Sequence, residues 1–376
     1  MKILFTGGGT GGHFYPIVAV AEAVREKVKE RKIFSPKLYY MAPTPYNQHS
    51  LFENGVEFVS IQSGKFRRYF SILNFSDFFK TIWGCLVALV RMYFIYPDVV
   101  FSKGGYGAFP SVIAAGILNI PVIIHESDSR PGIVNRLSGM YAQKIALSYP
   151  EAASYFKHKD RIAITGNPIR TEITQPLSNG ANEFLNLESN IPVVVILGGS
   201  QGSQIINDII MAALPELLNT FQVIHQTGRN NFDEIKTTSS FVLKDHQYSY
   251  RYHPFDYLGE LALRMSAGVA SVIVSRAGST IFEIAAWGVP SIIIPLPNSI
   301  SHDQAANALA YGRTGAASVI EENNLSAHVL IEEIARISNS AEINGQMREK
   351  AKSFARLDSA SVVADALLDL ALSHEK

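Results

Sequence analysis

The sequence predicts an α/β protein of two domains, each built on a parallel sheet. Short β-branched runs alternate with helical periods along the whole chain of 376 residues, which is typical of parallel strands joined by crossover helices. That length favours two domains over one. The two halves also share a plan, since a strand, a glycine-rich turn and a helix begin near residue 5 and again near residue 196. We therefore expect two Rossmann-like domains whose sheets face each other across a cleft.

Apolar runs predict the individual strands, and helical periods fill the segments between them, for example at residues 16–30 and 305–311. Proline and polar residues collect in GNPIRTEITQPL, residues 166–177. The first domain is therefore expected to span residues 1–165 and the second residues 166–345. The tail, residues 341–376, predicts an amphipathic helix. The predicted strands lie at residues 2–7, 37–42, 97–102, 121–126, 144–148, 161–166, 192–199, 221–228, 271–278 and 290–296.

Composition excludes several classes of function. The 33 basic and 33 acidic residues balance, so the chain as a whole is no general polyanion binder and no nucleic-acid partner is expected. The single cysteine, Cys85, excludes a disulfide framework and a Cys-rich zinc site and fits a reducing cytoplasm. The first residues run directly into an apolar strand without the features of a secretory signal, so none is expected.

The most apolar stretch is TIWGCLVALVRMYFIYP, residues 81–97. Arg91 interrupts it and Pro97 ends it, so it falls short of the roughly 18 uninterrupted apolar residues that span a bilayer. We expect a buried helix that leads into the next strand. The composition also permits a peripheral membrane contact.

Residues 64–79, GKFRRYFSILNFSDFF, mix basic and aromatic side chains. This composition suits an interfacial contact with anionic lipid. It suits equally a loop followed by an ordinary core helix. If the first interpretation holds, charge reversal at Lys65, Arg67 and Arg68 weakens binding to anionic vesicles, and unchanged co-sedimentation contradicts it.

The first glycine-rich turn follows the first strand and reads GGGTGGH, residues 7–13. Its glycines satisfy G-x-G-x-x-G, the pattern of dinucleotide-binding domains. Such domains also carry an acidic residue at the end of the second strand, whereas here that strand ends YYMAPTP. The remaining interpretation is that the turn binds an anion at the helix N-terminus, and a diphosphate fits that position. His13 follows the turn directly, and its pKa class suits a general base; a structural role that orients the acceptor or caps the helix is the alternative.

The second turn, GGSQGS at residues 198–203, also matches G-x-S-x-G, the nucleophile elbow of hydrolases. An elbow needs an acid and a histidine in the same domain. His225, His253 and His302 are present, but no pairing signal accompanies them. The shared plan of the two halves favours a second anion-binding turn in which Ser200 donates a hydrogen bond. A tight turn without a ligand is the alternative for either loop.

Three further segments carry candidate residues. SKGGYGAFPS, residues 102–111, is another glycine-rich turn after a strand, and IHESDSRPGIVNR, residues 124–136, places His125, Glu126 and Asp128 at a strand end, where open α/β sheets bind ligands. A structural hydrogen bond is the equal alternative for His125. For Glu283 in SRAGSTIFE there are two interpretations: its carboxylate accepts hydrogen bonds from both hydroxyls of a ribose, or it only complements the helix dipole. Gln304 and Asn307 share one helix face in HDQAANA.

The motifs GGTGGH, KGGYGAFPS, IHES, GNPIR, GGSQGS, SRAGSTIFE and HDQAANA occur in the order and spacing of the MurG family of peptidoglycan glycosyltransferases, which the chain resembles over nearly its whole length. The resemblance implies the two-domain GT-B fold. It implies transfer of N-acetylglucosamine from UDP-GlcNAc to the muramyl 4-hydroxyl of the undecaprenyl-diphosphate carrier lipid I, which forms lipid II. It places the acceptor in the N-terminal domain and the donor in the C-terminal domain, with a C-terminal helix, residues 346–376, that returns to the first.

The same resemblance assigns the site residues. The acceptor residues are Gly104, Gly105, Tyr106, His125 and Asn135, and the donor residues are Thr10, Gly11, Gly12, Asp128, Arg170, Ser200, Leu258, Ser279, Thr280, Glu283 and Gln304. Two features depart from the family pattern. Asp128 stands where many members carry Asn, so it accepts hydrogen bonds but donates none. The spacing from Gly278 to Glu283 is one residue shorter than usual.

The expected reaction is a direct displacement that inverts the sugar, with His13 as the base and Glu126 in reserve. Without an Asp-x-Asp motif, no protein-held metal or other cofactor is expected, although a divalent cation can accompany the diphosphates. Two alternatives are a UDP-GlcNAc 2-epimerase, which shares the fold, and a non-catalytic nucleotide-sugar binder. The expected location is the cytoplasmic face of the membrane, where the protein is peripheral on an anionic surface and open to cell-wall synthesis proteins.

Overall fold

The computed structural model describes residues 1–64, 73–199, 202–297 and 301–374. These residues form two compact units. Unit 1 comprises Met1–Arg170 and Arg356–Lys376, and unit 2 comprises Thr171–Ala355. The divisions therefore fall after residues 170 and 355, whereas the sequence placed them after residues 165 and 345.

Each unit contains one parallel sheet, and the described strands of the two sheets follow the chain in order. In unit 1 they are β1 (Lys2–Thr6), β2 (Lys37–Ala42), β3 (Val56–Ser60), β4 (Val99–Ser102), β5 (Val122–Glu126), β6 (Lys144–Leu147) and β7 (Ile162–Ile164). In unit 2 they are β8 (Val193–Leu197), β9 (Gln222–Gln226), β10 (Tyr252–Phe255), β11 (Ala270–Ser275), β12 (Ser291–Ile293) and β13 (Ala317–Val319). The spatial orders are β3-β2-β1-β4-β5-β6-β7 and β10-β9-β8-β11-β12-β13.

Helices connect the strands, as parallel sheets require. They are α1 (Gly11–Arg31), α2 (Gln48–Glu53), α3 (Leu73–Ile95), α4 (Phe109–Ile117), α5 (Ile133–Ser138), α6 (Ala181–Leu185), α7 (Gln204–Leu217), α8 (Phe232–Val242), α9 (Glu260–Val269), α10 (Thr280–Trp287), α11 (His302–Gly312), α12 (Ala327–Asn339), α13 (Ala341–Phe354) and α14 (Ser359–His374).

Side chains of alternate residues on β1 enter different cores, as the period of a strand dictates. Ile3 and Phe5 pack with α1 and α14 on one face of the sheet. Leu4 packs with residues of α3 and α4 on the other face. In unit 2, α7 and α12 cover one face of the second sheet. The central strands β4 and β8 are buried along their whole length, which explains their near-continuous apolar runs.

The predicted terminal helix is two helices that belong to different units. Within unit 2, Arg348 of α13 donates hydrogen bonds to the carbonyl oxygens of Ala270 and Gly288. Within unit 1, α14 packs on α1, where Arg31 pairs with Asp365 and Asp369. The prediction of a single helix over residues 341–376 is wrong because the chain is non-helical between Phe354 and Ser359.

Three of the described strands were not predicted from the sequence, namely β3, β10 and β13. All three lie at sheet edges. Edge strands are short and half-exposed, so they lack the apolar run that marks a central strand. Pro254 within β10 adds a further contrary signal, although proline is tolerated at an edge.

Candidate active site

Both sheets place their glycine-rich turns at the point where the strand order reverses. In unit 1 this point lies between β1 and β4, and in unit 2 between β8 and β11. Loops after these strands line the crevice in which open α/β sheets bind ligands. The two predicted turns, after β1 and after β8, occupy these positions, and so do the loops that begin with Lys103 and Arg276.

The first turn leads into α1, whose N-terminus is suited to an anion. Thr10 is the N-cap residue in an extended conformation, and no acidic residue lies in the first turn of the helix. The first N–H groups of a helix have no intrahelical partner, and the helix dipole adds positive potential there. The Thr10 hydroxyl does not cap the backbone; it lies 2.7 Å from Nδ1 of His13 instead.

The turn after β4 packs directly on this first turn. A Cβ atom on Gly105 would lie 2.9 Å from Cα of Gly8 and 3.3 Å from Nε2 of His13. Gly105 also has a positive φ of 78°, which an L side chain rarely adopts. The two turns therefore meet backbone to backbone beside the imidazole of His13, and glycine is required at their contact.

The imidazole of His13 is neutral near neutral pH. Desolvation by burial and the neighbouring Lys103 ammonium lower the pKa of His13 to about 4. A neutral imidazole carries a hydrogen on one ring nitrogen and can accept a proton on the other. When the hydrogen is on Nδ1 of His13, Nε2 is the nitrogen that accepts a proton. The geometry therefore provides an oriented acceptor of protons next to a helix N-terminus.

Glu126, the predicted reserve base, orders the loop that follows β5. One carboxylate oxygen accepts the backbone N–H of Asp128 at 2.9 Å. The other accepts the N–H of Gly132 at 3.1 Å and the amide of Asn135 at 3.0 Å. Burial and the adjacent Asp128 raise the pKa of Glu126. With both oxygens bonded, the carboxyl is built to position this loop rather than to reach a substrate.

Asn135 and His125, both predicted for the acceptor, are buried in unit 1. Asn135 donates to the carbonyl oxygen of His125 as well as to Glu126. Nε2 of His125 lies 2.8 Å from the carbonyl oxygen of Gly166, which also accepts the hydroxyl of Ser359. Burial and Lys103 lower the pKa of His125. The structural alternative for His125 is the one its surroundings support.

Tyr106 and Arg170 both lie near the first turn and the start of α1. A Cβ on Gly9 would be 3.0 Å from the hydroxyl of Tyr106. The guanidinium of Arg170 lies 4.6 Å from the ring centroid of Tyr15, two residues after His13. Arg170, predicted as a donor contact, therefore belongs to unit 1. Gly104 packs on the side chain of Asn135, where a Cβ would come within 2.6 Å.

In unit 2, the turn after β8 is held by a glutamine that the sequence analysis did not single out. Gln226, at the end of β9, donates to the carbonyl oxygen of Gly199 at 3.0 Å. Its own oxygen accepts the N–H of Leu258 at 3.0 Å. Leu258, predicted as a donor contact, therefore has its N–H already bonded. Ser200 lies outside the described residues.

The remaining donor residues cluster around the start of α10. Ser279 is the N-cap residue, and its hydroxyl makes no capping hydrogen bond. Thr280 and Glu283 follow in the first turn, partly exposed. Gln304 accepts the N–H of Leu296 at 3.2 Å and so holds the loop after β12.

Arg276, in the motif SRAGSTIFE but assigned no role there, links three segments of unit 2. It donates to the hydroxyl of Ser203 at 2.6 Å and to the carbonyl oxygen of Ile294, and it pairs with Glu322. His225 bonds Asn207 and Tyr252. Both ring nitrogens of His225 are thus engaged, so it is not placed as the histidine of a hydrolase elbow.

Lys103 lies in the motif KGGYGAFPS, although the sequence analysis assigned it no role. Its side chain is 1% exposed, and its Nζ has no hydrogen-bond partner among the described residues. The sequence offers one signal, a lysine placed directly after the fully buried strand β4 and before two glycines.

Among the described residues, no group of three or more His, Cys, Asp or Glu residues is arranged to hold a metal ion.

Helix α3 contradicts the expectation of a buried helix. Its apolar side chains face outward, with Trp83 57% and Phe94 79% exposed, while Ala88 and Met92 are buried. By length and composition alone, Phe75–Ile95 would suffice to cross a membrane, and 17% of it is buried. The run is apolar on both faces, so the sequence did not distinguish the side that packs on α4 from the side that remains open. Lys65, Arg67 and Arg68, in the preceding segment, lie outside the described residues.

Comparisons with known proteins identify the family. Residues 3–147 match the glycosyltransferase family 28 N-terminal domain, and residues 193–363 match its C-terminal domain. A protein of Treponema denticola is 35% identical over 367 residues, covering 93% of this chain and 91% of its own length. A protein of Legionella pneumophila strain Paris is 37% identical over 336 residues, covering 89% and 88%. Both are named UDP-N-acetylglucosamine--N-acetylmuramyl-(pentapeptide) pyrophosphoryl-undecaprenol N-acetylglucosamine transferase.

Known structures agree on the fold. The crystal structure of Acinetobacter baumannii MurG matches with a TM-score of 0.72 at 22% identity, covering 98% of this chain and 99% of its own. A putative UDP-N-acetylglucosamine 2-epimerase from Listeria monocytogenes matches with the same TM-score, 0.72, at 14% identity, covering 100% and 97%. The fold is thus the predicted two-domain GT-B fold, which transferases and epimerases share. The relatives of 35–37% sequence identity, by contrast, carry the name of a transferase. The chain is a glycosyltransferase of family 28 and belongs to the MurG family.

Proposed function

We propose that the protein transfers N-acetylglucosamine from UDP-GlcNAc to the 4-hydroxyl of the muramyl sugar of lipid I, forming lipid II and UDP with inversion at the sugar. The observation that carries the proposal is the identity of 35–37% with transferases of this name over about nine-tenths of the chain. The unit 1 site supports it, because an oriented neutral histidine lies beside a helix N-terminus that suits a diphosphate.

His13 is the proposed general base. In direct displacement, the muramyl 4-hydroxyl attacks the anomeric carbon, its proton passes to the base, and UDP leaves. The Thr10 hydroxyl lies 2.7 Å from Nδ1 of His13; in the proposed tautomer it accepts the Nδ1 hydrogen, which leaves Nε2 as the proton acceptor. Replacing His13 with Ala is expected to lower kcat by about 10²–10⁴ fold. His49→Ala, at an exposed position of unit 1, is the matched control; equal turnover in the two variants removes the base assignment.

The leaving UDP gathers negative charge that the protein must stabilise. The N-terminus of α7, with no acidic residue in its first turn, supplies N–H donors for it. Arg170 and Ser200 remain proposed phosphate contacts, and Glu283 a ribose contact. The side chain of Gln304 is proposed to reach the sugar, although it holds Leu296 in this structure. A divalent cation is proposed to travel with the diphosphates rather than on protein ligands.

Glu126 acts in this proposal through the loop it holds. Its three hydrogen bonds fix Asp128, Gly132 and Asn135 at the carboxyl end of β5. The carboxylate of Asp128 then accepts a hydrogen bond from a sugar hydroxyl. Gly104, Gly105 and Tyr106, on the neighbouring loop, are the proposed acceptor contacts. The proposal therefore gives orientation of the acceptor substrate to the loops after β4 and β5, and proton transfer to α1.

The 2-epimerase is the rival function, since proteins of that name share the fold. The products separate the two reactions. The purified protein is incubated with UDP-GlcNAc and a lipid I analogue, and the products are analysed by mass spectrometry and NMR. A β-1,4-linked disaccharide on the lipid supports the transferase. UDP-ManNAc, formed with or without the lipid, contradicts it.

We further propose that the protein is peripheral on the cytoplasmic face of the membrane, with α3 as its contact. The exposed aromatic side chains of this helix include Phe79, Trp83 and Phe94. Aromatic side chains of this kind favour the interface between headgroups and acyl chains. A lipid-linked acceptor requires such proximity. Cell-wall synthesis proteins are possible further partners of the same membrane surface.

Vesicle co-sedimentation tests the membrane contact. The double variant Phe79→Ser, Trp83→Ser is expected to weaken binding to phosphatidylglycerol vesicles about tenfold, a difference of about 1.4 kcal/mol. The control is Phe52→Ser, which removes an even more exposed aromatic ring from another part of unit 1. Unchanged binding of the double variant contradicts α3 as the contact.

A further inference from the structure

The guanidinium of Arg276 connects the ends of four neighbouring strands in the sheet of unit 2. Arg276 follows β11 directly, and its side chain is 11% exposed. Its Nη2 donates to the hydroxyl of Ser203, after β8, at 2.6 Å. Its Nη1 donates to the carbonyl oxygens of Ile294 and Pro295, after β12, at 3.2 and 3.3 Å, and lies 2.7 Å from Glu322, after β13. The carboxyl ends of these parallel strands share one edge of the sheet, so a single arginine reaches them all.

Glu322 holds this guanidinium by its charge. The side chain of Glu322 is 9% exposed, and its Oε2 is the atom that lies beside Nη1 of Arg276. Oε2 makes no hydrogen bond among the described residues, so the contact is an attraction between charges rather than an aligned hydrogen bond. Nearly buried charges are little screened by water, and either charge would destabilise the fold without the other. The pair therefore fixes the guanidinium beside Ser203.

Ser203 is the N-cap residue of α7, but its hydroxyl does not cap the helix. Its backbone is extended, with a φ of −139° and a ψ of 108°, as is usual at an N-cap. Ser326 and Ser340 are the N-cap residues of α12 and α13 in the same unit, and each accepts the N–H three residues further on, at 3.3 and 3.2 Å. Ser203 instead receives the hydrogen bond from Arg276. Its backbone conformation permits capping, and the arginine draws the hydroxyl away.

We propose that Arg276, held by Glu322, is a positioning residue for the donor: by engaging the hydroxyl of Ser203, it leaves the first N–H groups of α7 to the diphosphate of UDP. The inference rests on the proposed function, in which the N-terminus of α7 receives that diphosphate. A capping hydroxyl and a phosphate oxygen compete for the same N–H groups, because the N–H groups of the first turn have no intrahelical acceptor. Arg276 acts through Ser203 and needs no contact with the nucleotide.

Calorimetric titration with UDP tests the inference without the lipid acceptor. The charge-free variant Arg276→Met, Glu322→Gln removes both charges, so it leaves no unpaired charge in the interior. It is expected to weaken UDP binding about tenfold, because the freed hydroxyl of Ser203 caps α7 and the loop after β12 is released.

A second buried pair in unit 2 supplies the matched control, Arg251→Met, Glu188→Gln. Arg251 is 8% exposed, lies 2.6 Å from Glu188 and donates to the carbonyl oxygen of Leu218. The control variant is expected to lose stability, which thermal unfolding measures, and to bind UDP as the wild type does.

A further substitution separates a positioning role from a direct contact. In the charge-free variant the hydroxyl of Ser203 competes with UDP, so added Ser203→Ala is expected to recover about fivefold in affinity, the scale of one N-cap hydrogen bond. In the wild-type protein Arg276 already engages this hydroxyl, and Ser203→Ala alone is expected to change UDP affinity by less than about twofold. A merely structural role of Arg276 would not produce this difference between the two backgrounds.

Equal UDP affinity of the charge-free variant and the wild type overturns the inference, and so does an equal loss in the control variant. A loss that Ser203→Ala does not recover also overturns it, because Arg276 would then act on the nucleotide itself. If the charge-free variant does not fold, Arg276→Lys takes its place with the same expectations, since one lysine nitrogen cannot serve Glu322 and Ser203 together. Wild-type protein that binds UDP but transfers no sugar to a lipid I analogue contradicts the proposed function alone, whereas wild-type protein that binds no UDP contradicts both.

Discussion

The hydroxyl oxygen of Thr10 lies 2.7 Å from Nδ1 of His13. Thr10 occupies the N-cap of α1, where threonine ordinarily accepts a backbone N–H of the first turn. Here that interaction is replaced by a contact with the side chain three residues later. The replacement leaves N–H groups at the helix N-terminus for a ligand, and it fixes which nitrogen of His13 faces the neighbouring turn. In the proposed mechanism, Thr10 thus serves both the anion site and the base.

Thr10→Val is expected to lower kcat about fivefold to tenfold, because one hydrogen bond of about 1 kcal/mol no longer selects the tautomer of His13. The variant keeps the β-branched shape of the residue, so the turn is expected to persist. Thr10→Ser restores the hydroxyl and is expected to restore most of the activity. Steady-state kinetics at saturating UDP-GlcNAc measure the effect, and equal rates for Val and Ser would show that the hydroxyl has no part in it.

The pH dependence of kcat/KM follows from the state of His13. A base is active when unprotonated, and burial with Lys103 lowers the pKa of His13 to about 4. Activity is therefore expected to show no loss from His13 between about pH 8 and pH 5.5, and to fall as the pH approaches 4. The profile is repeated with Glu126→Gln, since the raised pKa of Glu126 is the other influence in this range. An acid limb near pH 6.5 that persists in Glu126→Gln contradicts the lowered pKa.

Gln226→Leu is expected to raise the KM for UDP-GlcNAc about tenfold, because two hydrogen bonds that hold the Gly199 turn and Leu258 are lost. The matched control is Gln222→Leu on the same strand, whose amide bonds Glu188 and Ile191 away from the turn. Both variants are expected to lose stability, which thermal unfolding measures. A KM that changes equally in the two variants would mean that Gln226 has no special relation to the donor site.

Leu367→Ala is expected to lower the free energy of unfolding of unit 1 by about 2–5 kcal/mol, since Leu367 of α14 is fully buried against α1. Val362→Ala on the same helix, at a 42% exposed position, is expected to cost less than about 0.5 kcal/mol. Denaturant unfolding measures both. Similar losses in the two variants would contradict the packing of α14 into the core of this unit.

The sequence was informative where a local pattern and a buried environment coincide. The central strands, both glycine-rich turns and the start of α10 follow from apolar runs and turn chemistry, which local sequence records. Edge strands such as β13 are short and only partly buried, so the sequence carries no apolar run that would predict them. The exposure of Trp83 depends on which neighbours cover α3, a tertiary property. The same holds for Lys103 and Gln226, whose surroundings are assembled by the fold: Lys103 lies beside Gly7, and the partners of Gln226, Gly199 and Leu258, lie 27 and 32 positions away.

The central claim is transfer to a lipid-linked acceptor, and UDP release measures it most directly. The purified protein is given UDP-GlcNAc with and without a lipid I analogue, and released UDP is quantified over time. The account predicts release only when the acceptor is present, with one disaccharide formed for each UDP. UDP release that is independent of the acceptor, or acceptor present without any release, would contradict it.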